Sequence, residues 1–159
     1  MIYYALLLVG IVGVDFIVKM WATNVLAEIG SIPVIEGVFN LTYAENTGAA
    51  FSMLEGKRWF FIVLTVVMLG LIAYAFFIEY LKGVWGRTTL VFIFAGALGN
   101  LIDRIVHGYV VDMFDFCLIN FAIFNVADIF ITVGGIMAVI YVFFIDKEFF
   151  ADSRKAKTK

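Results

Sequence analysis

The chain has 159 residues, of which 64% are hydrophobic and only 15% charged, with a formal net charge of −2. A chain this short has too little interior to hide that much apolar surface from water, so a soluble globule is excluded and much of the surface faces lipid. The one cysteine, Cys117, cannot make an internal disulfide, the one histidine, His107, cannot build a His-rich metal site, and the basic residues form no duplex-sized patch; disulfide scaffolds, zinc hydrolases and nucleic-acid binders are excluded with them.

Apolar density divides the chain into four helical spans at about 2–23, 59–78, 88–105 and 127–145, an outward loop at 24–58 and a tail at 146–159, all within one membrane domain over 1–159. In the first span Asp15 and Lys19 stand four apart and share a helix face, where a pair costs less to bury than either charge alone. These two charges, with no basic segment before them, mark a retained helix rather than a cleaved secretory signal. In the outward loop, Val38-Phe39-Asn40-Leu41-Thr42-Tyr43 alternates at period two, which predicts short strands. Asn46-Thr47-Gly48 supplies a turn, and Ala49-Ala50-Phe51 resumes an apolar stretch. The expectation is a small β-sheet on the outer leaflet. The second span has 20 residues without a charge, enough at about 1.5 Å per residue to cross a hydrocarbon core of about 30 Å. The third has a 15-residue apolar run between Arg87 and Asp103, so its last turn needs a polar setting. Small residues four apart, Ala95 with Gly99 and Gly134 with Ala138, predict close approach of the third and fourth helices. Trp21, Trp59, Tyr80 and Trp85 flank the first two spans at headgroup level. Seven Lys and Arg residues lie in the second link and the tail, against three (Lys57, Arg58 and Arg104) on the other side. Both termini are therefore expected in the cytoplasm.

Polar side chains gather around the third and fourth spans: Asn100, Asp103, Arg104, Asp112, Asp115, Asn125 and Asp128. Carboxylates at membrane depth are costly and mark a functional site. No nucleophile elbow accompanies His107, and neither a phosphate loop nor an HExxH pair is present. Paired aspartates remain as a source of chemistry, one deprotonating water while the other polarises a scissile carbonyl, with one proton shared between them. Asp103, Asp112, Asp115 and Asp128 are the four candidates for the two places. Intramembrane carboxylates also suit a small proton-coupled transporter, and a polar cluster alone suits a non-catalytic scaffold. Against a transporter, the acids gather at one membrane face, whereas a carrier needs a path open to both.

The stretches Asn46-Thr47-Gly48-Ala49-Ala50-Phe51-Ser52, Gly99-Asn100-Leu101-Ile102-Asp103-Arg104, Gly108-Tyr109-Val110-Val111-Asp112 and Phe124-Asn125-Val126-Ala127-Asp128 resemble, in order and spacing, the motif series of the lipoprotein signal peptidases, or signal peptidase II. Asp15-Phe16-Ile17-Val18-Lys19 is similar to that family's first-helix motif. The resemblance implies an all-α, four-span bacterial inner-membrane protein with a small extracytoplasmic β cradle, acting as an aspartyl endopeptidase on diacylglyceryl-modified prolipoproteins. It implies Asp112 and Asp128 as the catalytic pair, with Asn46, Asn100, Asp103, Arg104 and Asn125 lining or supporting the site and Asp15 with Lys19 behind it. The expected partners are the prolipoprotein and membrane lipid, with no cofactor, metal or nucleic acid, and the chain is expected to act as a monomer. Two departures from the family pattern stand out: Ala122 occupies a place where many members carry proline, and Glu45 one where others carry arginine, which would put an acid facing the substrate. Asp115 reads as a solvated loop or cap carboxylate. Asp103 beside Arg104 reads either as a structural ion pair or as a neighbour of a substrate-positioning guanidinium. Cys117 reads as a small buried hydrophobe, His107 as an exposed loop residue and Gly108 as a backbone device.

Overall fold

The computed structural model describes residues 1–48, 56–119 and 121–146. Ala49 to Ser52, Asn120 and the basic tail beyond Asp146 lie outside the described residues. Helix α1 (Ile2–Trp21) runs on through a wide π-type turn (Ala22–Leu26) into the short α2 (Ala27–Ile29). Strands β1 (Ser31–Ile35) and β2 (Phe39–Asn46) follow, then α3 (Arg58–Phe77), α4 (Gly83–Val106), β3 (Val110–Asp115) and α5 (Val126–Ile140), which continues as a π-type turn (Tyr141–Ile145). Among the described residues, four helices are long and apolar enough to cross a membrane: Ile2–Ile29, Arg58–Phe77, Gly83–Val106 and Val126–Ile145.

Two boundaries differ from the expectation. The outward loop starts at Gly30, not near residue 24, because no breaker interrupts 22–29 and tertiary burial of Ala22 and Leu26 carries the helix on. Gly30, at φ +84°, then ends it, a left-handed conformation that costs glycine little. Helix α4 starts at Gly83, ahead of the expected 88, since Arg87 is accommodated within its first turns by pairing with Glu79. Hydropathy marks where a helix is apolar, not where it begins.

Helix α4 is the hub of the bundle, packed against α5, α1 and α3. Half of its most apolar window is buried inside the protein, against 11% for α3 and for α5, which leave most of their surface to lipid. Close approach depends on small residues. A Cβ at Gly96 would lie 2.4 Å from the Ala127 carbonyl oxygen of α5, and one at Gly99 would lie 2.6 Å from the Asp15 carboxylate of α1. Gly134 meets the Ile93 side chain in the same way. Helices α4 and α5 thus approach closely as expected, but through Gly96 and Gly134, whereas Gly99 chiefly faces α1.

The sheet has the order β1-β2-β3, antiparallel throughout. Its third strand comes from the α4–α5 link, not from the first outward loop where the sheet was expected. Pairing of Asn46 with Val110 and of Ala44 with Asp112 draws that link over the bundle. Beneath the sheet, Ala22 and Leu26 of the π-type turn pack on Val111 and Met113, with Ile32, Leu41 and Tyr43 around them. Each large side chain buried there stabilises the docking by roughly 1.5–3 kcal/mol. At the opposite end of the bundle, Leu81, Leu90 and Tyr141 form a separate cluster, and the Tyr141 hydroxyl accepts from the Lys82 backbone N–H at 2.8 Å.

Candidate active site

The site forms where β3, the start of α5 and the end of α4 converge. Asp112 is 2% exposed on β3 and accepts from two amides, Asn46 Nδ2 at 2.9 Å and Asn125 Nδ2 at 2.6 Å. Asn46 is the last residue of β2, and its Oδ1 accepts from the Gly48 N–H at 3.0 Å, which fixes the amide with its NH2 toward Asp112.

Asp128 stands in the first turn of α5. Asn125 is the N-cap rather than a residue of the helix itself, and the two form a reciprocal capping box. Asn125 Oδ1 accepts from the Asp128 N–H at 3.0 Å, while Asp128 Oδ2 accepts from the Asn125 N–H at 3.2 Å. Asn125 is wholly buried, and its Nδ2 also donates to Asn100 Oδ1 at 3.1 Å. One asparagine therefore spends both amide hydrogens and its oxygen tying the two aspartates and Asn100 together. Asn100 in turn donates Nδ2 to Asp128 Oδ1 at 2.7 Å.

Both carboxylates open onto one cavity of about 490 Å³, lined also by Asn46, Asn100 and Arg104. The cavity's other walls are mostly apolar, among them Phe121, Phe124, Ile129 and Val133. Burial pushes the Asp112 carboxyl up to about 7, and the charge of Asp128 pushes the same way, while donation from Asn46 and Asn125 and the charge of Lys19 oppose it. Arg104 donates to the Gly48 carbonyl at 2.9 Å and lies over the Phe61 ring at 5.1 Å, which holds a cation at the cavity wall.

Asp103, Asp15 and Lys19 form a buried layer behind these groups. Lys19 Nζ contacts Asp15 Oδ2 at 2.8 Å, Asp103 Oδ2 at 3.0 Å and Asn100 Oδ1 at 3.0 Å. The partner of Asp103 is thus Lys19, not the adjacent Arg104, because neighbouring residues on a helix point to different sides. Asp115 is a strand residue, not a loop or cap carboxylate, and accepts from Thr42 Oγ1 at 3.1 Å. Glu45 is exposed and accepts from the Tyr43 hydroxyl at 3.1 Å. Strand alternation turns it away from the face that carries Asn46, so the expected acid facing the substrate is not realised. Gly108 takes φ +91°, His107 ends α4 and is exposed, and Cys117 is half-buried.

Sequence reasoning missed Thr132 and Arg58. Thr132 lines the cavity four residues beyond Asp128, a helical spacing that would have found it. Arg58 donates to the carbonyls of Arg104 at 2.8 Å and Ile105 at 2.7 Å, satisfying free acceptors at the end of α4. Nothing local signals that contact, since the partners are 46 and 47 residues apart. Among the described residues, no three His, Cys, Asp or Glu side chains converge to hold a metal ion.

Residues 7–144 match the family model described as signal peptidase (SPase) II. A lipoprotein signal peptidase from Clostridioides difficile (strain 630) is 42% identical over 149 residues, covering 91% of this chain and 97% of that protein. One from Streptococcus thermophilus (strain CNRZ 1066) is 41% identical over 133 residues, covering 84% and 87%. Two solved bacterial membrane enzyme structures, obtained by the in meso method at 2.3 and 1.9 Å resolution, each superpose with a TM-score of 0.80. The first is 35% identical and covers 87% of this chain and 85% of its own; the second is 34% identical and covers 90% and 94%.

Proposed function

The chain belongs to the signal peptidase II family, and from that premise we propose that it is an aspartic endopeptidase in which Asp112 and Asp128 together activate water against a peptide bond. Family membership and the four apolar helices make it a multi-pass bacterial membrane peptidase that removes signal peptides from prolipoproteins. The observation that carries the finer reading is the shared coordination of the two aspartates: Asn125 serves both, and both open onto one cavity.

In this mechanism Asp112 holds the proton near neutral pH, in accord with its raised carboxyl, so Asp128 is the member that takes a proton from water. The resulting hydroxide attacks the scissile carbonyl as Asp112 gives its proton to the carbonyl oxygen. Collapse of the tetrahedral intermediate delivers a proton to the leaving amine, and the pair is again left with one proton. No covalent intermediate forms. The Arg104 guanidinium orients the substrate, and the apolar walls around Ile129 and Val133 suit a substrate whose junction is diacylglyceryl-modified. The excess of basic residues in the α3–α4 link and the tail supports an orientation with both termini in the cytoplasm and the cavity toward the outer leaflet.

The test is cleavage of a diacylglyceryl-modified precursor by purified protein in lipid. Asp112→Asn and Asp128→Asn should each lower the rate by about a thousandfold, the scale of a lost acid or base, while the protein stays folded. Asp115→Asn should keep most activity. Full activity of Asp112→Asn, or proton-coupled uptake into vesicles with no cleavage, would refute the reading.

A further inference from the structure

We propose that Lys19 is a positioning residue for the reaction: its buried ammonium, tied through Asp103 to the residue beside Asp112 and through Asp15 to the residue beside Asp128, sets the spacing of the two aspartates. The inference rests on the reading above, in which those two carboxylates act together.

Lys19, Asp15 and Asp103 are 4%, 2% and 7% exposed, so none of their charges is held by solvent. An ammonium has three hydrogens, and Lys19 meets three acceptors at 2.8, 3.0 and 3.0 Å, which leaves it no alternative arrangement. Each arm then continues. Asp103 Oδ2 accepts from the backbone N–H of Val111 at 3.2 Å, one residue before Asp112. Asp15 Oδ1 accepts from the backbone N–H of Ala127 at 2.8 Å, one residue before Asp128. The third arm ends on Asn100 Oδ1, so the Asn100 NH2 is turned to Asp128. A lock between α1 and α4 alone would need only the Asp103 contact. Here the same cation reaches the peptide units of β3 and α5 that carry the reacting groups. Unpairing any arm would strand a buried charge, which makes the arrangement stiff. Its place is also set sterically, because α1 approaches α4 where Gly99 leaves room for the Asp15 carboxylate.

The test separates positioning from folding. Asp15 uses one oxygen for Ala127 and the other for Lys19, so Asp15→Asn keeps its size but can serve only one of them. Asp103 serves Lys19 and Val111 through a single oxygen, so Asp103→Ala breaks that arm whereas Asp103→Asn preserves an acceptor for both. Asp15→Asn and Asp103→Ala should lower kcat by roughly tenfold to a hundredfold, as misplacement of reacting groups does, with KM within about twofold. Asp103→Asn should recover most of the lost kcat. Unchanged kcat per folded molecule in the first two variants, or losses that only track the folded fraction in detergent, would overturn the proposal. If Asp112→Asn is inactive while these variants work at full rate, the positioning role alone fails; if Asp112→Asn is active, the dyad itself fails.

Discussion

In the proposed mechanism Asp112 meets two demands that conflict at a membrane surface: it must be dry enough to keep a proton near neutral pH and yet stay within reach of water in the cavity. Burial on β3 raises its carboxyl to about 7, and the two amide donors limit the rise. The sign follows. Below about 7 the proton stays on Asp112, and above it the carboxyl ionises beside Asp128, so the pair loses the acid it needs. Cleavage measured as kcat/KM from roughly pH 5 to 9 should therefore fall on the alkaline side with a midpoint near 7, and a rate flat through that range would contradict the assignment. At this scale the sequence was a partial guide. It supplied the polar inventory and, through resemblance, the two aspartates. It set Asp15 and Lys19 behind the site but grouped Asp103 with Asn46, Asn100 and Arg104, whereas Asp103 lies in the layer behind the cavity those three line. That division depends on which way each helix face turns once the bundle is assembled.

Among the elements, α4 has the most constrained packing, since α1, α3 and α5 all touch it. Gly96 and Gly134 sit at two such contacts with different neighbours, which makes them a useful pair. A methyl at 96 would collide with the backbone carbonyl of Ala127, next to Asp128, and backbone at a capped helix start has little freedom to retreat. Gly96→Ala should thus shift the start of α5 and cut cleavage by more than about tenfold while the protein still inserts in the membrane. Gly134→Ala meets chiefly the Ile93 side chain, and should cost about 1–3 kcal/mol of stability with activity per folded molecule retained. Thermal unfolding in detergent together with cleavage rates checks both. Periodicity made the helices and β2 legible because each is a local pattern, but it did not locate β1. It missed β3, whose pairing with β2 joins residues such as Ala44 and Asp112, distant in the chain.

For the molecule as a whole, the four apolar helices leave their outer surfaces to lipid, and polar groups gather at the sheet end of the bundle around Asp112 and Asp128, apart from the apolar cluster beneath the sheet. With seven basic residues in the second link and tail against three at the sheet end, a reporter fused after Lys159 should be active only in the cytoplasm, and one inserted at Gly37 of the β1–β2 turn only outside. The reverse pattern would put the aspartates on the cytoplasmic side and refute the proposed orientation. By itself the sequence determined the solvent, the number of spans and the chemical inventory, because hydropathy, length and charge are sums over neighbouring residues and need no partner. The tertiary structure alone decided that Asp103 pairs with Lys19, that Glu45 turns away, that β3 completes the sheet and that Asn125 joins Asp112 to Asp128. Each of these is a contact between distant segments, settled by how helices approach and by the requirement that a buried polar atom find a partner.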